Sequence, residues 1–285
     1  MKLGVIYPQI EMGGEAAAVR SFGLAAEQLG FDYLVAYDHV LGAEHAGREP
    51  QLTGPYTEND PFHDPLTMFA YLAGITQTLE FASGILILPQ RQTALVAKQA
   101  GDVAAFSGGR LRLGVGLGWN HVEYAALGKE FRNRAKRMEE QIPLLRRLWS
   151  ETVVSHQGRY EQIDRAGLVF LPKKPIEIWV GANVEAAQLR GARLADGLML
   201  TRPVDVAMEH AAVALAARRE MGLTAPFGLE HLHNRGTAPA QAVADSFRRW
   251  RDFGGTHASV STMGRDLGPV EAHIDFIAEV RRLSA

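Results

Sequence analysis

The sequence predicts an α/β protein built as a (β/α)8 TIM barrel with one small insertion. Apolar runs of strand length alternate with amphipathic runs of helical length along the 285-residue chain. Eight strands are predicted, and a helix follows nearly every one of them, which favours a closed barrel of parallel strands. An open doubly wound sheet is the alternative, because it has the same alternation. We treat residues 1–285 as one domain, since a barrel of about 250 residues is an ordinary single domain.

Each predicted element is an apolar run bounded by proline, glycine or a capping residue. The strands are nearly continuous apolar stretches, which is typical of parallel strands buried on both faces. The helices show apolar residues at helical spacing. The predicted strands are 2–7, 33–37, 81–88, 111–115, 176–180, 197–200, 227–232 and 258–261. The predicted helices are 15–29, 65–77, 93–106, 122–127, 134–149, one ending at 194, one starting near Pro203, 239–250 and 270–283.

Two segments interrupt the alternation. Residues 153–163 predict a hairpin that turns near Gln157 and Gly158, which makes it an insertion in the barrel. Residues 41–63 have no clear period and contain six glycine and proline residues. A long connection of this kind inside a compact domain is a functional lid or a disordered loop.

The stretch 79–120 organises the predicted site. Its two strands and the helix between them form one βαβ unit with a right-handed crossover. Ligand sites lie at the C-terminal ends of such strands, here near 88–89 and 116–120. Asn120 has the residue type of an N-cap and predicts the start of the next helix.

Three glycines end the second strand of this unit, at positions 114, 116 and 118. They do not match the dinucleotide fingerprint, because its last glycine is missing in both possible registers. One interpretation is a crowded turn that admits only glycine. The other is a backbone that approaches a flat cofactor at a helix N-terminus.

Two further strand ends carry candidate residues. Asp38 and His39 follow the second strand, where an imidazole is well placed for proton transfer. Alternatively, Asp38 caps local backbone and His39 is a partly buried neutral imidazole. Gly181, Ala182 and Asn183 follow the fifth strand, where free N–H groups at a helix start bind phosphate. A plain asparagine N-cap would explain the same residues.

A histidine pair suggests an alternative function. His231 and His233 lie on one face of a predicted strand, as the metal ligands of a TIM-barrel hydrolase would. Such a site needs a third ligand, usually a carboxylate, and Glu230 points to the opposite face. We therefore assign no metal ligands and retain the metal-dependent hydrolase as a rival of a different class.

Composition excludes several partners. The net charge is −2, which gives no electrostatic reason to expect nucleic acid as a partner. No run approaches the ~20 apolar residues of a membrane helix, and residue 2 leads directly into a strand rather than a signal peptide. The chain has no cysteine, so it has no thiol nucleophile or thiolate metal site. We expect a cytoplasmic protein with no membrane partner.

Several long motifs resemble one family. They are LGFDYLVAYDHV, HDPLTMFAYLAGIT, SGILILPQRQTALVAKQAGDVAAFSGGRLRLGVGLGWN and IEIWVGANVEAAQLRGARLADGLM. Together they resemble the luciferase-like monooxygenase superfamily, and within it the branch of oxidoreductases that use the deazaflavin F420. The resemblance covers residues 1–201 and weakens towards the C-terminus.

The resemblance implies a homodimeric barrel with the cofactor across its C-terminal mouth. The cofactor phosphate would lie near the start of the helix after the fifth strand. A non-prolyl cis peptide would fall near Gly84, Ile85 and Leu86, pressing backbone against the ring. Asp38 and His39 match the cofactor-contacting pair of the family.

One residue departs from the family pattern. In the sugar-phosphate dehydrogenases a carboxylate follows the last glycine of the fourth strand, and here Trp119 stands there. Tryptophan has no acidic group, so an acid catalyst at this position is in doubt. A sugar-phosphate substrate is in doubt for the same reason. Trp119 would instead offer an apolar wall or stacking surface.

The prediction is therefore an oxidoreductase that transfers a hydride between F420 and an apolar or aromatic organic substrate. FMN is the alternative cofactor, and a cofactor-binding protein without turnover is a further rival. His39 is the predicted catalytic residue. The predicted cofactor-binding residues are Asp38, His39, Gly84, Ile85, Leu86, Gly116, Gly118, Trp119, Asn120, Gly181, Ala182 and Asn183.

Overall fold

A computed structural model describes residues 1–234 and 236–284. The strands are β1 (Lys2–Ile6), β2 (Tyr33–Ala36), β3 (Glu80–Ser83), β4 (Leu86–Ile87), β5 (Leu111–Gly116), β6 (Val154–Gln157), β7 (Gln162–Ala166), β8 (Glu177–Gly181), β9 (Gly197–Leu200), β10 (Gly228–His233) and β11 (His257–Ser261). The helices are α1 (Ala16–Gln28), α2 (Pro65–Ala73), α3 (Thr93–Phe106), α4 (His121–Ala126), α5 (Arg134–Ser150), α6 (Glu185–Leu194), α7 (Val204–Glu220), α8 (Ala240–Phe253) and α9 (Val270–Leu283). A short 3-10 helix spans Leu88–Gln90.

Parallel strands close into a barrel, which confirms the predicted fold. Within the described residues the ring contains eight strands, in the order β3-β2-β1-β11-β10-β9-β8-β5, and β3 pairs with β5. That last pairing excludes the open sheet, because an open sheet leaves its two edge strands unpaired. Because the eight strands are parallel, their carboxyl ends lie together at one mouth of the barrel. The helices surround the ring.

A cluster of buried polar side chains fills the barrel near the amino ends of its strands. The Arg112 guanidinium lies 2.7 Å from a carboxylate oxygen of Glu230, and the Tyr33 hydroxyl donates to the same carboxylate at 2.9 Å. The Arg112 guanidinium also lies 4.1 Å from the centre of the Trp179 ring. Gly228 is required here, because a Cβ would lie inside that ring. These side chains close the barrel below its mouth.

The predicted third strand, 81–88, is wrong as a continuous strand. β3 ends at Ser83, the Gly84–Ile85 peptide is cis, and β4 resumes for two residues. β4 pairs with β5, and the Ile87 N–H donates to the Asp38 carboxylate at 2.8 Å. The non-prolyl cis peptide that the resemblance implied is therefore present, and it falls within the predicted positions.

The remaining boundaries differ little from the prediction. The predicted hairpin is present as β6 and β7. α2 begins after Asp64, whose side chain accepts from Thr67 N–H, but it ends at Ala73 because Gly74 terminates it. The segment 41–63, called the lid segment below, contains no helix or strand. In the part of the chain that the structure describes, no helix is both long and apolar enough to cross a membrane.

Candidate active site

A cavity of about 830 Å³ opens at the C-terminal mouth of the barrel. Strand ends and the lid segment supply its walls, so it lies where barrel enzymes bind their ligands. Seven of the predicted site residues line it: Asp38, His39, Gly84, Ile85, Gly118, Trp119 and Asn183. The other lining residues are Tyr37, Pro55, Tyr56, Ile87, Thr201, Arg202, Pro203, His231, Leu232, His233, Asn234 and Ala238.

Five predicted contacts lie away from this surface. Leu86 and Ala182 are fully buried in the apolar core outside the barrel strands. Asn120 is also buried, and its side chain accepts from the N–H groups of the first turn of α4, as an N-cap does. Gly116 and Gly181 face the side chain of Ile85, which stands between them and the cavity.

Ile85 is the apolar floor of the cavity. A Cβ on Gly116 would overlap its side chain, and a Cβ on Gly181 would lie 3.1 Å from its Cγ2. The two glycines thus make room for Ile85. The interpretation in which Gly116 itself approaches a cofactor is therefore corrected. The Ile85 side chain lies between Gly116 and the cavity.

Asp38 is buried and bound on both carboxylate oxygens. Oδ1 accepts from Arg91 Nη2 at 2.6 Å, and Oδ2 accepts from Ile87 N–H at 2.8 Å. Arg91 also pairs with Asp64 at 3.0 Å. Burial opposes the charge of Arg91, but these carboxylates outweigh it and raise the pKa of the guanidinium. Asp38 therefore fixes the end of β4 and the chain up to Arg91. This structural role explains the position of the carboxylate without proton transfer.

His39 is held from one side by Glu123. Its Nδ1 lies 3.0 Å from Oε2 of Glu123, and the two side chains are 9% and 1% exposed. Oε1 of Glu123 accepts the N–H groups of Val40 at 2.6 Å and Leu41 at 3.0 Å. The imidazole is thus held in one orientation at the cavity wall.

Aromatic side chains enclose the other side of His39. Its ring centre lies 4.9 Å from that of Phe62, 5.3 Å from that of Tyr56 and 5.5 Å from that of Trp119. Gly54 packs flat on the Trp119 ring, where a Cβ would clash. Trp119 forms the apolar wall predicted for it, and it joins the lid segment to His39.

Asn183 does not cap α6, which corrects the simpler interpretation of this residue. Val184 is the N-cap and makes no side-chain cap. The Asn183 side chain instead donates to Thr201 Oγ1 at 2.7 Å and accepts from Thr201 N–H at 3.1 Å, joining the ends of β8 and β9. Arg202 follows on the same wall, exposed, and its side chain has no ion-pair partner within 1–234 and 236–284.

The histidine pair lacks what a metal site needs. The ring centres of His231 and His233 are 6.0 Å apart, and His231 Nε2 donates to the Arg202 carbonyl at 3.0 Å. Burial lowers the pKa of His231 to about 4. No group of three possible protein ligands occurs among the described residues. Glu230, the nearest carboxylate in sequence, pairs with Arg112 inside the barrel.

Sequence reasoning missed Glu123, which lies behind His39, and two parts of the wall itself. An acidic residue in the first turn of the helix after the fourth strand would have been a usable signal for Glu123. Tyr56 belongs to the lid segment, whose path no periodicity predicts. Thr201 and Asn234 continue β9 and β10, and the rule for strand ends could have found them.

The chain belongs to the luciferase-like monooxygenase family, whose sequence model matches residues 3–257. An uncharacterized protein of Mycobacterium tuberculosis is 30% identical over 260 residues, 88% of each chain. An F420-dependent glucose-6-phosphate dehydrogenase of Intrasporangium calvum is 30% identical over 184 residues. That match covers 62% of this chain and 51% of the enzyme.

Solved structures share the fold at low identity. An F420-dependent secondary alcohol dehydrogenase, in complex with an F420-acetone adduct, matches 100% of this chain and 99% of its own, with a TM-score of 0.79 and 15% identity. A monooxygenase from Streptomyces bottropensis matches 98% of both chains, with a TM-score of 0.76 and 19% identity. At these identities the likeness is one of fold.

Proposed function

We propose that this protein is an F420-dependent oxidoreductase acting on a neutral organic substrate with an apolar or aromatic body. The observation that carries the proposal is one cavity at the barrel mouth with Ile85 as its floor and His39 in its wall. Relatives that use F420 support the cofactor, among them the dehydrogenase of Intrasporangium calvum. When bound, the deazaflavin would supply the hydride chemistry, and the chain would supply position and proton transfer.

The residues at the floor fit a flat ring. Ile85 offers an apolar face, and Gly84 beside it exposes backbone to the cavity. A volume of about 830 Å³ lies in the range of ~300–1,000 Å³ that is usual for cofactor and ligand sites. The ring would rest on Ile85, and Asp38 would hold the neighbouring backbone through the Ile87 N–H.

The opposite wall fits an anionic cofactor tail. Arg202 lines the cavity and has no ion-pair partner among the described residues. Asn183 also lines the cavity, just before the N-cap of α6. Phosphate is favoured near free N–H groups and a cation. We assign Arg202 and Asn183 to the cofactor phosphate, in line with the position that the family resemblance implies.

The substrate would lie between the ring and the lid segment. Trp119, Tyr56 and Pro55 are apolar or aromatic there, and they favour a substrate with a matching surface. The carboxylate that lines the cavity, Asp38, is already bound to Arg91. A neutral alcohol or carbonyl compound suits this wall better than a charged one.

A homodimer is part of the proposal. Leu95 and Phe106 on α3 are 51% and 67% exposed. Exposed apolar side chains on one helix support association through that surface. Light scattering of the wild type and of Phe106→Glu tests this. A dimer that the substitution dissociates is expected, and a wild-type monomer at micromolar concentration would contradict it.

Turnover tests the function directly. Reduced F420 is mixed with the protein and a panel of neutral aromatic and aliphatic ketones, and oxidised F420 with the matching alcohols. A change in deazaflavin absorbance that depends on protein and substrate is expected. Turnover with reduced FMN and oxygen, but not with F420, would replace the proposal by the flavin monooxygenase alternative. Binding of F420 without turnover on any substrate would favour the cofactor-binding protein.

A further inference from the structure

Glu123 is a buried carboxylate whose contacts all go to the chain that leaves β2. It occupies the third position of α4, and Asn120 begins that helix by capping it. Its Oε1 accepts two backbone N–H groups and its Oε2 faces the imidazole of His39. Such a carboxylate does more than cap a helix, because it sets which nitrogen of the histidine carries the proton.

The contact determines the tautomer of His39. An ionised carboxylate only accepts hydrogen bonds, so Nδ1 at 3.0 Å from Oε2 must donate. In the neutral imidazole Nε2 then carries no proton. Within residues 1–234 and 236–284 the His39 ring has its hydrogen bond at Nδ1, and His39 lines the cavity. Nε2, the ring nitrogen away from Glu123, is thus a proton acceptor in a side chain of the cavity wall.

We propose that Glu123 is a positioning residue that holds His39 in the Nδ1–H tautomer for proton transfer to and from substrate. This role rests on the proposed function. When an alcohol is oxidised, bound oxidised F420 would supply the hydride acceptor, and the part of this chain would be to take the hydroxyl proton at Nε2 of His39. The imidazolium formed keeps its Nδ1–H bond to Glu123, and carbonyl reduction reverses each transfer.

The substitution Glu123→Gln separates this role from a structural one. The amide oxygen must take the Oε1 position, because only an acceptor can receive the Val40 and Leu41 N–H groups. The amide NH2 then faces Nδ1 of His39 and donates to it. Nδ1 becomes the acceptor and the proton moves to Nε2. The backbone bonds persist while the tautomer is reversed.

The chain offers a matched control in Glu140. Its carboxylate lies 3.1 Å from His156 Nε2 and accepts the N–H groups of Tyr160 and Glu161. Like Glu123, Glu140 is a carboxylate shared between an imidazole and backbone N–H groups, although both of its oxygens accept from the backbone. The pair lies at the β6–β7 hairpin and not at the cavity. Glu140→Gln reproduces the chemical change without touching His39.

The tautomer is measured by imidazole 15N NMR of the cofactor-free protein at about pH 9, and the 15N shifts themselves report which ring nitrogen carries the proton. His39→Gln identifies the His39 signals by their loss. The wild type should show Nδ1–H at His39, Glu123→Gln should show Nε2–H, and Glu140→Gln should leave His39 unchanged. An Nε2–H wild type would overturn the proposal without any variant. So would an unchanged His39 tautomer in folded Glu123→Gln.

Kinetics supply the second readout. In serine proteases, an amide in place of the carboxylate beside a catalytic imidazole selects the wrong tautomer and costs ~10⁴-fold in turnover. We expect Glu123→Gln to lower kcat by roughly 10²–10⁴-fold, with F420 affinity and Glu140→Gln turnover near wild type. Wild-type kcat in Glu123→Gln would overturn the role. If the wild type turns over nothing, the proposed function fails, while the NMR result still stands or falls by itself.

Discussion

The side chain of Ile85 occupies the place that a Cβ on Gly116 would need. Ile85 lies between β3 and β4 and Gly116 ends β5, and the two residues meet at the floor of the cavity. Gly181 adds the third side of the same pocket, with a Cβ position 3.1 Å from Ile85. The floor therefore depends on glycine beneath it as well as on isoleucine above it.

Gly116→Ala should push Ile85 into the cavity. Overpacking of this kind costs ~1–3 kcal/mol, and here a flexible side chain can move towards open space. We expect F420 affinity to fall roughly 10–100-fold, since 1.4 kcal/mol corresponds to about tenfold. Fluorescence titration measures the affinity, and thermal unfolding checks that the barrel is intact. The double variant Gly116→Ala with Ile85→Val removes the Cδ1 atom nearest to the new Cβ and keeps an apolar floor. It should recover affinity, and its failure to do so would reject the steric explanation.

Trp119→Ala should loosen the lid segment. Trp119 contacts both His39 and Gly54, so its removal takes away the surface on which the lid segment packs. We expect KM for the organic substrate to rise about tenfold, the scale of one lost aromatic contact with its buried area. Hydrogen exchange should become faster over residues 41–63. Trp119→Phe is the control and should keep most of both properties. Unchanged exchange and KM in Trp119→Ala would show that Trp119 does not hold the lid segment.

His39→Ala should impair turnover more than binding. Loss of a general acid or base typically costs ~10²–10⁴-fold in rate. Ile85 and Arg202, which are assigned to the cofactor, are unaffected by this change. Steady-state kinetics and F420 titration measure the two effects separately. Turnover at the wild-type rate would leave His39 as a packing residue, and lost binding with full turnover at saturation would make it a cofactor contact only.

His231 should make the fold sensitive to acid. Burial lowers its pKa to about 4 in the folded chain, and an unfolded histidine titrates near 6.5. As pH falls below about 6.5, His231 binds a proton in the unfolded chain but not in the folded chain. Its contribution to the free energy of unfolding is therefore intact above about pH 6.5 and decreases down to about pH 4. Between about pH 7 and pH 5 the free energy of unfolding falls by ~2 kcal/mol. Urea unfolding at both values measures it. His231→Gln should reduce the difference by that amount, and an unchanged difference would contradict the assignment.

The fold could be predicted because each element has its own local signal. β5, α3 and β9 begin where apolar periodicity and glycine or capping residues place them. The closure of the ring followed from the count of strands. The interruption at Gly84 and Ile85 has little signal in hydrophobicity, because 81–88 is apolar apart from Ser83 and Gly84. It was anticipated only through the family resemblance.

The site could be predicted less completely, because its contacts join distant segments. Strand-end reasoning found His39, Trp119 and Asn183, which line the cavity. It did not show that Asn183 bonds to Thr201, or that Ile85 separates Gly116 from the cavity. Those relationships depend on side-chain packing between strands, and a linear pattern does not encode the direction of a particular side chain.

The most direct test of the central claim is a binding comparison. Cofactor-free protein is titrated with F420 and with FMN in separate experiments, and ligand fluorescence reports binding. The proposal predicts saturable F420 binding that is at least about tenfold tighter than FMN binding, a difference of ~1.4 kcal/mol. Purification of the protein with bound FMN, together with no measurable affinity for F420, would contradict it.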